Sequence, residues 1–223
     1  DSVANGKFHV SFVVPYDLSY GGSGQVLAFA KSDDLATIAH GCTDAIVLGD
    51  GDIQKTDTVG PKIFCYLNSP EFVNGDDVNT SPYFVAQLSD DSGINATGNG
   101  VGHNLELVVD GDANKTYDLN DNFAYDFASH TAGTTSYTLP TLEPGTHTLR
   151  FRAWDTMNNS STAMLSFNVV KSIKPRIYSV DVTKNPASTS TTFIVSHSLA
   201  GCPVDVTIDV YDMSGRQLWT YRE

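Results

Sequence analysis

The chain has 223 residues, enough for one large or two to three small domains that bury a real core. Its 13 Lys and Arg face 26 Asp and Glu, a formal charge of -13 that repels phosphate backbones and argues against nucleic acid as a partner. Hydrophobic residues make up 40% and charged ones only 17%, so polarity is carried by Ser, Thr, Asn and Gly, the balance of a β-rich extracytoplasmic protein. No apolar run approaches the roughly 20 residues that span a bilayer, and no basic-then-apolar leader opens the chain. The chain reads as soluble, with any targeting segment upstream or removed.

Period-two alternation between turn residues predicts an all-β fold of tandem immunoglobulin-like β-sandwich modules. In residues 1–60, Phe8 to Val14 reads as a strand that sends Phe8, Val10, Phe12 and Val14 to one face before Pro15. Gln25 to Ala30 and Ala45 to Leu48 read as further strands. Three strands fall short of a complete sandwich, so this first module is expected to be partial, its earlier strands lying upstream. The polar stretch from Asp50 to Pro61 reads as an interdomain connection.

Residues 61–171 carry six predicted strands: Lys62 to Leu67, Tyr83 to Ser89, Leu105 to Asp110, Ser136 to Leu139, His147 to Ala153 and Met164 to Val170. That is the count of an immunoglobulin-like sandwich. After the Pro144-Gly145 turn, His147, Leu149, Phe151 and Ala153 are expected to face the core, with Thr148, Arg150 and Arg152 on the other side. Residues 172–223 add Ile177 to Val182, Thr192 to Ser196, Val204 to Asp212 and the start of a hairpin at Gly215 to Trp219. Too few strands for a sandwich of its own predict a truncated immunoglobulin-like or sorting-type module there, or one that borrows sheet edges elsewhere.

Three cysteines, Cys42, Cys65 and Cys202, are too few for a disulfide framework, and no CxxC pair offers a thiolate zinc site. Cys65, inside an apolar run, reads as a buried thiol. His40 and Cys42 form the one pair with the composition of a nucleophile and base, but alternate residues on a strand share a side without sharing a hydrogen bond. Both are read as non-catalytic. Oxygen-rich turns supply candidate calcium ligands at Asp90, Asp91 and Asn95, at Asp110, Asp112 and Asn114, and at Asn120, Asp121 and Asn122. None has the EF-hand spacing, and Asp-Gly and Asn-Asp pairs also serve tight turns, so no cofactor beyond a structural Ca²⁺ is expected. The run Gly98 to His103 precedes a strand rather than a helix, which removes the phosphate-loop reading; His103 is expected to bond that loop's backbone. Trp154 ends a core-type strand, and Asp155 with Asn158 and Asn159 is expected to shape the next turn, in place of a sugar platform with Tyr125, Phe127 and Tyr137. Tyr16 and Tyr20 in a loop, and Arg216 and Trp219 in the tail, are the candidate partner contacts.

Two stretches resemble a known family. Asp90-Asp91-Ser92-Gly93-Ile94-Asn95-Ala96-Thr97-Gly98 through His103, followed by Leu105 to Gly111, is similar to a segment beyond the catalytic domain of gingipain-type cysteine peptidases, the C-terminal signal peptidases or sortases of type IX secretion in Bacteroidota. Phe151-Arg152-Ala153-Trp154-Asp155 through Thr162 resembles a second segment of the same proteins, in the same order. Asn185-Pro186-Ala187-Ser188 with Val206 to Arg216 looks like a type A sorting domain, a pattern shared with flagellar hook-capping domains. The resemblance implies a cell-surface cysteine endopeptidase that removes C-terminal sorting domains from exported cargo. Its nucleophilic Cys and its His belong to a caspase-like α/β domain, for which this chain has no helix-strand alternation, so no catalytic residue is carried over. The implied partners are the protein's own peptidase domain and an outer-membrane β-barrel of the secretion apparatus, at the outer-membrane surface. The alternative is a surface adhesin or glycan-binding cargo protein with a sorting tail. That alternative predicts an exposed aromatic platform, whereas the sortase reading predicts a mostly buried Trp154.

Overall fold

The computed structural model describes residues 3–15, 23–32, 36–47, 57–98, 102–173, 177–184, 190–197 and 205–222. The chain is all-β: β1 (Ser23–Lys31), β2 (Ile38–Val47), β3 (Lys62–Leu67), β4 (Asp77–Val78), β5 (Tyr83–Ser89), β6 (Glu106–Val109), a 3-10 turn (Ala113–Lys115), β7 (Thr116–Asp118), β8 (Ala124–Tyr125), β9 (Ala132–Thr138), β10 (Gly145–Trp154), β11 (Ser160–Val169), β12 (Ile177–Val182), β13 (Phe193–His197), β14 (Thr207–Tyr211) and β15 (Gln217–Arg222). A five-stranded sheet has the order β4-β11-β10-β6-β7 and a four-stranded sheet the order β3-β5-β9-β8. The pairs β1-β2, β12-β13 and β14-β15 are two-stranded antiparallel sheets.

All six strands expected in the middle region form, with ends moved by a few residues. The short β4, β7 and β8 escape a reading by alternation because two or three residues contain no period. Strand β2 begins seven residues ahead of the expected Ala45, since Ala39 and Gly41, poor β-formers, interrupt the run that follows Ile38. Residues 8–14 are not a strand. A single bridge joins Ala4 to Lys7, and Phe8, Val10 and Phe12 are 58%, 57% and 63% exposed. Apolar alternation describes one side of a segment, whereas a strand also needs a hydrogen-bonding neighbour, and none of the described strands is paired with these residues.

Two compact units emerge from the chain's contacts. One comprises Asp1–Cys65, Val85–Ser136 and Thr148–Leu165, the other Tyr66–Phe84, Tyr137–His147 and Ser166–Glu223. In the first, Leu149, Phe151 and Ala153 of β10 are buried while Arg150 and Arg152 stay half-exposed, the alternation its sequence prescribes. Leu105, Leu107, Val109, Leu119, Ala86 and Leu88 are buried in the same unit. Leu119 is fixed by its N–H donating to the Leu105 carbonyl and by its own carbonyl accepting from the buried Thr135 hydroxyl. In the second unit Leu67, Val78, Phe84, Leu139, Phe167 and Val169 are buried. His147, expected in the core, is half-buried, its ring stacked at 5.7 Å on Phe167. Asn68 and Asn79 bond each other, Asn68 accepts from the Tyr83 N–H, and Asn79 donates to the Ser81 carbonyl, so the polar turn ahead of β5 satisfies itself.

The contrast between buried and exposed aromatics is directly measurable. Phe151→Ala is expected to lower unfolding free energy by about 3–5 kcal/mol, from lost burial plus the cavity left behind. Phe29→Ala, at a position 67% exposed, is expected to change it by less than about 0.5 kcal/mol. Urea denaturation of both variants checks the pair.

Candidate functional site

Three turns converge at one end of β5 and β10. After β5, Asp90 opens a turn in which its Oδ1 accepts from the Ser92 N–H at 2.8 Å and its carbonyl from the Gly93 N–H at 3.1 Å. Gly93 has φ +101°, a left-handed conformation that favours glycine. After β10, Asp155 is fully buried; its Oδ1 accepts from the N–H groups of Met157 (2.9 Å) and Asn159 (2.7 Å), and its Oδ2 accepts from Asn159 Nδ2 at 2.6 Å. The two turns are laced together, since the Thr156 N–H donates to the Gly93 carbonyl and the Thr156 hydroxyl to the Ser92 carbonyl. Into this corner comes Asp57, whose Oδ1 accepts from the Val59 N–H and whose Oδ2 accepts a short hydrogen bond from the Ser92 hydroxyl.

Asp57, Asp90 and Asp155 thereby bring one carboxylate oxygen each to within 4.8 Å of one another. Asp57 and Asp90 border an open cleft of about 510 Å³ also lined by Lys62, Asp91 and Thr131, with Asp155 buried behind them. Burial first, and then the charges of Asp155, Asp57 and Asp91, push the Asp90 carboxyl above its ordinary value, against the lowering effect of the Ser92 N–H. The three carboxylate oxygens are of the hard donor type that Ca²⁺ takes, and each of the three carboxylates already accepts hydrogen bonds from the protein. Of these, Asp90 alone stands among the candidate ligands read from sequence. Asp155 is legible as the shaper of its turn. Asp57 has no local signal, because its partners Ser92 and Asn159 lie 35 and 102 positions away.

The other candidates are spread over the molecule. Asp91 is exposed on the cleft rim. Asp110, at positive φ, pairs with Lys115 at 3.5 Å and accepts from the Thr148 N–H. Asp112 caps the 3-10 turn by accepting from the Asn114 N–H and Nδ2. Asn120 accepts from the Leu105 N–H, and Asn95 from the Thr97 N–H and hydroxyl. No second trio of His, Cys, Asp or Glu ligand atoms gathers among the described residues. Tyr16, Tyr20 and Cys202 lie outside the described residues.

Burial pushes the Cys65 thiol up to about 11, which leaves it protonated at neutral pH. Cys42 and His40 are both exposed on β2, opposite Leu27 and Phe29 of β1. Trp154 is half-buried. Its ring meets His103 at 4.2 Å, and the Arg152 guanidinium lies 5.5 Å from its centre. Arg152 Nη2 also donates to the Gly102 carbonyl and pairs with Glu106, which Arg150 holds at 2.9 Å. Tyr125 donates its hydroxyl to the Ile94 carbonyl, while Phe127 is 77% exposed. In the tail, Asp212 ties the β14-β15 turn together. The Ser214 hydroxyl, ahead of the Arg216 N–H, holds its carboxyl below the usual range, and Arg216 Nε pairs with it at 3.1 Å. Trp219, 52% exposed, sits opposite Val210 and stacks on Tyr221 at 5.9 Å.

No protein-family model and no curated protein matches the chain. Among solved structures, the crystal structure of dimeric latent PorU from Porphyromonas gingivalis is 34% identical over 95% of this chain, with a TM-score of 0.56. The chain spans 20% of the length of that protein. CopC from Methylosinus trichosporium OB3b matches 44% of this chain and 84% of its own at 15% identity, with a TM-score of 0.27, too low to indicate a common fold.

A carboxyl whose pKa rises on folding is charged at the fold's expense once the pH exceeds its folded value, and costs nothing below its unfolded value. Asp90→Asn keeps the oxygen that accepts from Ser92, and is expected to raise the melting midpoint at pH 7. The gain should close as the pH falls through the carboxylate range, as followed by thermal scans from pH 7 to 3. Asp155→Ala orphans the part-buried N–H groups of Met157 and Asn159 at about 1–3 kcal/mol each and is expected to lower stability by about 2 kcal/mol or more in chemical denaturation.

Proposed function

We propose that this chain is the non-catalytic β-region of a cell-surface gingipain-type cysteine endopeptidase that cleaves C-terminal sorting domains from type IX secretion cargo, where it serves as scaffold and docking region. One observation carries the reading: the similarity to latent PorU, at 34% identity, runs over 95% of the chain rather than over one motif. The segments from Asp90 and from Phe151, which resemble the same family, both meet at the three-turn corner of Asp90, Ser92 and Asp155. They are thus joined in space as well as in order.

The chemistry of the described residues agrees with a scaffold. The Cys65 thiol is too basic to be a nucleophile at neutral pH, and Cys42 stands on an open strand face rather than in a cleft. In this reading the peptidase chemistry comes from a domain outside these residues. Trp154 is covered by His103 and Arg152, which weighs against the adhesin alternative and its open aromatic platform at that position. None of the described helices is long and apolar enough to cross a membrane. Docking to a separate outer-membrane component is the form of attachment proposed. The tail offers the surface for it. The β14-β15 hairpin presents Trp219 and Tyr221 side by side, the aromatic pairing that anchors many protein interfaces.

A pull-down with the purified chain from detergent-solubilised outer membranes of a type IX-secreting bacterium tests the proposal. The expected result is recovery of an outer-membrane β-barrel of the secretion apparatus, reduced roughly tenfold by Trp219→Ala, the loss of one interface hot spot. Recovery of glycan or host-type ligands without any secretion component would overturn it in favour of the adhesin.

A further inference from the structure

Residues 57–61 carry the chain into β3 and have the polar, turn-rich composition of a free connection. Their surroundings are those of a fastened element. The Asp57 carboxylate accepts from the Ser92 hydroxyl, the Asp57 carbonyl accepts from Asn159 Nδ2 at 3.2 Å, and the Val59 N–H folds back onto Asp57 Oδ1 at 2.9 Å. Three residues on, Gly60 lies so close to the first residue of β11 that a Cβ would stand 2.5 Å from the Ser160 carbonyl carbon, 2.6 Å from its oxygen and 2.8 Å from Ser161 Oγ. Any side chain at position 60 has to displace backbone there. Pro61 behind it is buried. The segment is held at two separate points, one polar and one steric, by the turn after β5 and by the turn and strand after β10.

The polar fastening is made against an opposing force. Asp57 brings its charge into the space of Asp90 and Asp155, each within 4.8 Å, so Coulomb repulsion acts to lift the segment off while the Ser92 and Asn159 hydrogen bonds and the Gly60 contact keep it down. We infer that residues 57–61 are a charge-loaded strap, a local conformational device whose closed state is set by Ser92, Asn159 and Gly60 and whose opening is driven by the carboxylates of Asp90 and Asp155. Asp90 and Asp155 have N–H partners of their own in Ser92, Met157 and Asn159, which do not depend on the strap. Closed, the strap gives the preceding chain a fixed point of departure. Open, it turns that point into a tether several residues long.

Opposite effects of substitutions at neighbouring positions make the inference testable. Hydrogen exchange with mass spectrometry on the full chain reads the peptide covering 57–63, with the peptide covering 147–154 in β10 as an internal reference for global opening. Gly60→Val and Ser92→Ala are each expected to speed exchange of 57–63 about tenfold or more, the scale of one lost hydrogen bond to a charged group, with β10 unchanged. Asp90→Asn, which removes repulsion and keeps the Ser92 contact, is expected to slow it severalfold. Exchange of 57–63 at the unfolded-peptide rate in the unaltered chain would overturn the strap. Insensitivity of 57–63 to both Ser92→Ala and Gly60→Val would overturn it as well. If Gly60→Val also speeds β10 by global unfolding, Ser92→Ala decides, and an acceleration by Asp90→Asn would overturn the assigned role of charge.

Discussion

The hydrogen bonds gathered by the buried Asp155 carboxylate are the constraint on which the ordered corner depends. A charge fully out of water is tolerable only if its lone pairs are occupied, and Met157 and Asn159 supply three donors from within one turn. That requirement fixes where β10 ends and how β11 begins, with the Asp155 N–H closing the turn on the Asn159 carbonyl. It also aims the Asn159 amide at Asp57 and sets Thr156 to grip Ser92 and Gly93. Three stretches remote in sequence meet because one side chain leaves the backbone no other arrangement.

What could be read from residues alone follows how local the cause is. Leu149, Phe151 and Ala153 declare their burial because a strand's period is two and their neighbours are polar. The turn role of Asp155 is equally local. Asp57 is silent for the opposite reason, since its contacts lie 35 and 102 positions away and its own neighbours are those of any loop. Within the candidate calcium triplets, oxygen-bearing side chains serve backbone N–H groups, near in sequence for Asp112 at the 3-10 turn and 15 positions away for Asn120 at Leu105. Phe8 to Val14 shows the limit from the other side: a pattern fit for a strand remains unpaired without a neighbour to bond it.

Two of the two-stranded sheets leave their apolar cross-strand pairs largely exposed. On β12-β13, Val180 faces Val195 and Val182 faces Phe193. On β14-β15, Val210 faces Trp219 and Ile208 faces Tyr221. Each therefore concentrates its apolar residues on one side, most of them exposed. Two-stranded ribbons are marginal in water by themselves. Local devices compensate at their turns, as Asp212 does with Ser214 and Arg216.

The parallel pairing of β4 with the end of β11 has a consequence for how the chain can be made. Asp77 meets Asn168, and Val78 meets Val169, across 91 positions of sequence. A ribosome or export channel that delivers the polypeptide from its N-terminus therefore releases Val78 long before the residues that complete its sheet exist. Until residue 169 emerges, that apolar surface has no native cover, and the nascent chain depends on slow closure of a large loop or on a holding chaperone. Vectorial synthesis thus makes the last strand of the five-stranded sheet the step that commits the region to its fold.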